Sequence, residues 1–340
     1  MRTPCTAMAS VLLVVVLTGL PATTAAQDAP GAEKLPRRAD GRPDLHGVWY
    51  FNTTTPLQRP ERLADKARYT EEEHAALAAR TAEFRPFDAT PPEGSVGAYN
   101  QFWWDRGSPV DDRRTSLIID PDNGRLPPLT ARATRQVGST ERHVPGPGPV
   151  RYRIGGIGAD GPEERGLAAR CLLGYNVGPP LLPGGYNNNL QLFQSADHVV
   201  ILTEMVHDAR IVPLTARPHL TEAVRLWNGD SRGHWDGDTL VVETTNFTHK
   251  RASFEPGATV ALGTGDTLRL VERFTRLDTD TLLYEYTVDD PATFTATFTA
   301  AIPMKRSADP IFEYACHEGN YGMTNMLRAG RAADAGQGAR

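Results

Sequence analysis

Cysteine is scarce in the 340-residue chain, which has three, and no apolar run approaches the ~20 residues needed to span a bilayer. The most apolar stretch, "VLLVVVLTGL" from Val11 to Leu20, follows the basic Arg2 and gives way to the small-residue run "PATTAAQ". That order describes a secretory leader, residues 1–26 with cleavage after Ala26, and predicts a periplasmic or secreted protein with no membrane insertion once the leader is removed. Positive charge is also in short supply: 36 Lys and Arg stand against 41 Asp and Glu, for a net charge of −5. This balance excludes nucleic acid and an anionic membrane surface as natural partners. There is no phosphate loop or H-E-x-x-H motif, and no G-x-G-x-x-G in the strand–turn–helix setting of a dinucleotide fingerprint. "IGGIGADG" (Ile154 to Gly161) is glycine-rich, but it follows no convincing strand and opens no clear helix.

Cys5 precedes the apolar run and leaves with the leader. Cys171 and Cys316 remain, and in an oxidising compartment two leftover cysteines read as a disulfide. Proline and glycine are abundant, which favours a loop-rich β protein.

Residues 27–185 read as an irregular N-terminal region wrapping the rest. "YTEEEHAALAARTAEF" within it predicts a helix near 70–84, with Thr70 as N-cap and Glu71, Glu72 and Glu73 in the first turn. "TSLIIDPDNGRLPPLT" predicts a strand, a turn at Asn123-Gly124 and a short return. A short helix is expected near "EERGLAARCL". From 186 to 325, "NNLQLFQS", "HVVILTE", "ARIVPL", "DTLVVETTNF", "TLRLVERFTRL", "TLLYEYTV" and "FTATFTAAIP" follow one another across tight turns. The expected fold is mainly β: an antiparallel up-and-down barrel or sandwich. Residues 326–340 read as a disordered tail.

Side chains alternate along a strand. Leu268, Leu270, Glu272 and Phe274 therefore share a face, so Glu272 is expected to be buried and bonded to Arg or Tyr partners. Leu282, Tyr284, Tyr286 and Val288 share another, as do Phe294, Ala296, Phe298, Ala300 and Ile302. Both faces of these strands are partly apolar, as in a barrel with a covered exterior and a ligand in its interior.

Gly47-x-Trp49 resembles the glycine-x-tryptophan of the first strand in lipocalin-like barrels. "PDLHGVW", "YNQFWWDRG", "GYNNN", "EMVHDARIVPL", "RPHL", "GDSRGHWDGDTLVVETTNF", "LVERFTR", "YEYTVDDP" and "ACHEGN" together resemble a large family of exported bacterial proteins. The resemblance spans almost the whole mature chain. It implies export and a single integrated fold, and it names no reaction.

The polar run "EYACHEGNYGM" (Glu313 to Met323) raises the question of chemistry most sharply. Read as a strand, it sends Cys316 and His317 to opposite faces and returns Glu318 to the cysteine side. Cys316 then staples while His317 is free to act. The plainer alternative is a strap in which His317 caps a turn and Glu318 and Asn320 tie down backbone. Adjacent Cys and His are poor co-ligands for one metal because their side chains diverge, and the paired spacing of a structural zinc site is missing, which leaves a metal only to convergence with distant residues.

"TEMVHDAR" places Glu204, His207, Asp208 and Arg210 on a hairpin, more polar groups than a turn requires. His–carboxylate pairs move protons near neutral pH. His207 or His317 would be the acid or base, oriented by Glu204, Asp208 or Glu318, with Arg210 or Tyr186 steadying negative charge. His219 reads as a loop histidine or a substrate contact, and Asp236-Gly237-Asp238 as a hairpin turn. Trp103 and Trp104 form either an end plug or an aromatic wall. Tyr186 and Asn188 suit a turn or an oxygenated ligand.

The favoured expectation is a cofactor-independent lyase, isomerase, cyclase or hydrolase acting on a small ring-bearing molecule. A non-catalytic carrier of an apolar ligand is the main alternative. A metal-dependent hydrolase or oxygenase would require three of His207, His219, His234, His317 and nearby carboxylates to meet.

Overall fold

The computed structural model describes residues 35–83, 104–105, 107–136, 161–255 and 261–338. The leader, Trp103 and Arg106 lie outside them. Ten strands form one antiparallel sheet: β1 (Gly47–Tyr50), β2 (Ile118–Asp120), β3 (Asn189–Gln194), β4 (His198–Thr203), β5 (Ala209–Pro213), β6 (Asp230–Asp236), β7 (Thr239–Thr245), β8 (Arg269–Arg276), β9 (Thr281–Asp289) and β10 (Phe298–Ser307). Strand order is β5-β4-β3-β1-β10-β9-β8-β7-β6, with β2 paired to β10 off this path.

Followed as a ring, this order is an up-and-down meander in which β1 joins β3 to β10. The ring has one seam without a hydrogen-bonded ladder, between β5 and β6. At the seam the two strands meet through side chains. A Cβ on Gly233 of β6 would fall 2.8 Å from Leu214 Cδ2 and 2.9 Å from Val212 Cγ1 of the β5 segment. Glycine is therefore what allows the edges to approach.

Alternation puts Leu270, Glu272 and Phe274 of β8 and Leu282, Tyr284, Tyr286 and Val288 of β9 inside, all at most 1% exposed. Phe298, Ala300 and Ile302 follow on β10, whereas Ala296 is exposed because the strand begins only at Phe298. Trp49 is buried with its Nε1 donating to Leu45 O at 2.9 Å, and the guanidiniums of Arg276 and Arg306 lie 5.4 and 5.7 Å from its ring centre.

The enclosed face is consequently packed with aromatic rings, and Phe274, Tyr284 and Tyr286 meet at centroid separations of 5.0 and 5.6 Å. The large side chains that the alternation directs inward fill the space themselves.

Helix α1 (Glu71–Glu83) opens as the sequence predicts. Glu73 N donates to Thr70 Oγ1 at 3.2 Å and Thr70 N donates to Glu73 Oε2 at 2.8 Å, a reciprocal cap. A short helix α2 (Ala131–Gln136) was not expected, and near "EERGLAARCL" the structure has a single tight helical turn at Pro162–Glu164. The return after Asn123-Gly124 is reduced to a bridge between Leu129 and Phe294. The N-terminal region does more than wrap, since it supplies β1 and β2 to the sheet.

The tail read as disordered from 326 is instead part of helix α3 (Tyr321–Gly338). Asn320 Oδ1 caps it by accepting from Met323 N at 3.2 Å, and Leu327 is buried. No helix among the described residues is long and apolar enough to cross a membrane.

Cys171 and Cys316 form a disulfide across a sequence separation of 145 residues. On the chain-entropy model, closing such a loop contributes about 5 kcal/mol. Thiol titration of the unfolded, unreduced, leader-free protein is expected to find no free thiol, and reduction should lower the denaturation midpoint. Two titrating thiols would contradict the bridge.

Candidate functional site

Two segments carry the histidines of interest. The β4–β5 hairpin holds residues 204–208, with Val206 at φ 64° and His207 at φ 43°. A β-branched residue in the left-handed region is a true outlier, costing on the order of 1–3 kcal/mol, and such strain concentrates at functional sites. The second segment is the chain from Phe312 to Asn320, fixed by the disulfide and by Asn320 Nδ2 donating to Ala169 O at 3.3 Å.

These segments meet at the β5–β6 seam. His207 and His317 line one cleft of about 680 Å3, together with Asp208, Trp227, Asn228 and Asp230. Both histidines are exposed to it. Asn228 Nδ2 donates to Asp208 Oδ2, tying the β5 edge to the loop before β6.

Glu204 does not line the cleft that His207 lines. It is buried, accepting from Asn189 Nδ2 at 2.9 Å and from Phe312 N at 3.1 Å. Its carboxylate thereby holds the base of the His207 hairpin to the start of the segment that carries His317.

The strand geometry assumed for Cys316 and His317 is also corrected: residues 316–319 form a turn, with Gly319 at φ 61°. Cys316 and His317 line the same cleft, and Glu318 is exposed and lines none of the clefts described here. Arg210 lines the cleft but is committed elsewhere, its Nη1 and Nη2 donating to Glu272 Oε2 and Oε1 at 2.6 and 2.8 Å. Burial works against its charge, and the Glu272 carboxylate outweighs this and holds its pKa above the ordinary arginine value.

Asn188 is 1% exposed and saturated. Its Oδ1 accepts from Gly184 N at 2.8 Å, and its Nδ2 donates to Gly184 O at 3.0 Å and Asp105 Oδ2 at 3.3 Å. It fixes a loop and is not available to a ligand. Trp104 lines a separate cleft with Asp105, and Tyr186 lines one beside the histidine cleft. Asp236-Gly237-Asp238 is a hairpin turn, with Gly237 at φ 58° and Asp238 bonded to Arg37.

Asp230 received no role from the sequence. In the structure it stands on the cleft wall and gathers three donors: Leu220 N at 2.9 Å, His219 Nδ1 at 2.9 Å and Arg232 Nη1 at 2.6 Å. Burial alone would raise its pKa; the Leu220 N–H, His219 and Arg232 reverse this and hold it below the usual carboxylate range. A depressed folded pKa contributes stability above the unfolded pKa, about 3.9, which is lost as pH falls through the folded value. Asp230→Asn is therefore expected to cost about 1–3 kcal/mol at pH 7. Urea denaturation should show that gap closing as the pH drops below the carboxylate range. An unchanged gap in acid would contradict the assignment.

Among the described residues, no group of three His, Cys, Asp or Glu side chains converges to hold a metal ion. Comparison with protein-family models, curated proteins and solved structures found no match to the chain.

Proposed function

We propose that this is an exported, periplasmic or secreted enzyme that performs acid–base chemistry on a small ring-bearing, oxygenated molecule in the β5–β6 cleft. The observation that carries this reading is the presence of His207 and His317 on one cleft, on two segments tied together through Glu204 and fixed by the disulfide. One imidazole removes a proton from the substrate, or from the attacking water in a hydrolysis, and the other donates one to the substrate or its leaving group, which serves an elimination, isomerisation, cyclisation or hydrolysis near neutral pH. Asp208 supplies adjacent negative charge, and Trp227 offers a flat apolar wall to a ring.

A non-catalytic carrier would need an empty apolar interior. The aromatic packing of β8, β9 and β10 weighs against it. The two readings separate experimentally through a thermal-shift screen of small cyclic ketones, lactones and phenols, followed by mass spectrometry of each stabilising compound after incubation. Conversion by the wild-type protein supports the enzyme. Stabilisation without conversion throughout the screen would favour the carrier.

A further inference from the structure

A second cleft of about 520 Å3 adjoins the histidine cleft, and Val206 and Cys316 line both. Tyr175, Tyr186 and Tyr314 line it. Tyr186 lies between the other two, stacked on Tyr314 with centroids 6.3 Å apart and edge-on to Tyr175 at 5.5 Å. Burial and the neighbouring Tyr186 push the Tyr175 phenol well above its ordinary pKa, so it is neutral across the physiological range.

Arg251 lines the same cleft. Its guanidinium lies 5.0 Å from the Phe247 ring centre. Nη1 donates to Trp227 O at 2.8 Å and to Gly178 O at 3.4 Å, and Nη2 donates to Pro179 O at 2.6 Å. These bonds staple two loops and engage only part of a group with five N–H donors.

The contrast with Arg210 is informative. Arg210 is buried against the carboxylate of Glu272, whereas the hydrogen bonds of the Arg251 guanidinium among the described residues run to neutral carbonyls. Burial lowers the Arg251 pKa to about 10, with Glu255 on the same cleft wall favouring the charged form, so the cation persists at neutral pH. A half-buried cation bonded to carbonyls is compensated only in part by Glu255, and an entering anion adds to that compensation. Flat phenol rings beside it favour a flat ring on that anion.

We infer that this tyrosine-lined cleft binds a small aromatic carboxylate, its ring against Tyr186 and Tyr314 and its carboxylate on Arg251. The inference does not depend on the acid–base reading of His207 and His317, because binding alone tests it.

The experiment is calorimetric titration of the intact, oxidised protein with benzoate, benzamide and acetate at neutral pH. Benzoate should bind at one site, with benzamide and acetate each at least ~10-fold weaker, since one lacks the charge and the other the ring. Arg251→Gln should weaken benzoate at least ~10-fold, but it also removes the loop staple. Tyr186→Ala leaves the staple in place and should weaken benzoate by ~5–10-fold. Equal affinity for benzoate and benzamide would overturn the assignment. So would an absence of benzoate binding, or benzoate binding unaffected by Tyr186→Ala in a folded variant.

Discussion

Glu272→Ala is expected to destabilise the folded protein by about 3–5 kcal/mol, the usual cost of removing one partner from a buried ion pair. Glu272 is fully buried on β8. It accepts both Arg210 bonds from across the enclosed face and a third from Tyr284 Oη at 2.8 Å, while Tyr284 Oη accepts from Leu181 N at 3.1 Å. Deleting the carboxylate leaves the Arg210 guanidinium buried without its counter-charge, close to the unpaired seam. Glu272→Gln retains an acceptor and should cost less, about 1–3 kcal/mol. Replacing the pair together, Arg210→Met with Glu272→Leu, should be near neutral or stabilising. Equilibrium urea denaturation measures all three, and a loss below about 1 kcal/mol for Glu272→Ala would show that the pair does not hold β5 to β8.

The second large effect is on turnover. His207→Ala and His317→Ala should each lower kcat by about 10²–10⁴-fold on a compound the wild type converts, the range for removing a general acid or base. Both side chains are exposed to the cleft, so thermal unfolding should change little. The disulfide should also persist in both variants. Full turnover by either one would reduce that histidine to cleft wall.

The strands with regular alternation were legible in the sequence because burial on one face leaves a period-two signature. Glu272 illustrates how far this extends: its position between Leu270 and Phe274 marked it as buried with an Arg or Tyr partner, and Arg210 and Tyr284 are those partners. The α1 cap was legible for an equally local reason, and the disulfide because two cysteines stand outside the expected leader. β6 was not, since "DSRGHWD" carries the glycine, serine and charges of a turn. It is a strand because Asp230–Asp236 pairs along its length with β7, and Gly233 lets its other edge approach β5, contacts no local pattern records. The turn at Cys316-His317 and the left-handed Val206 are likewise fixed by the disulfide, Glu204 and neighbouring segments, so the way the histidines reach one cleft was hidden. His207 and His317 were nameable from residue type, whereas Asn188 and Arg210 looked like ligand contacts because free and bonded polar groups have the same letters.

The most direct measurement of the shared histidine site is a double-mutant cycle on kcat, comparing His207→Ala, His317→Ala and the combined variant. Residues that act as one unit lose far less together than the product of their separate losses. The double variant should therefore be about as slow as the slower single variant. Losses that multiply, each histidine contributing independently of the other, would contradict a single acid–base site at the β5–β6 seam.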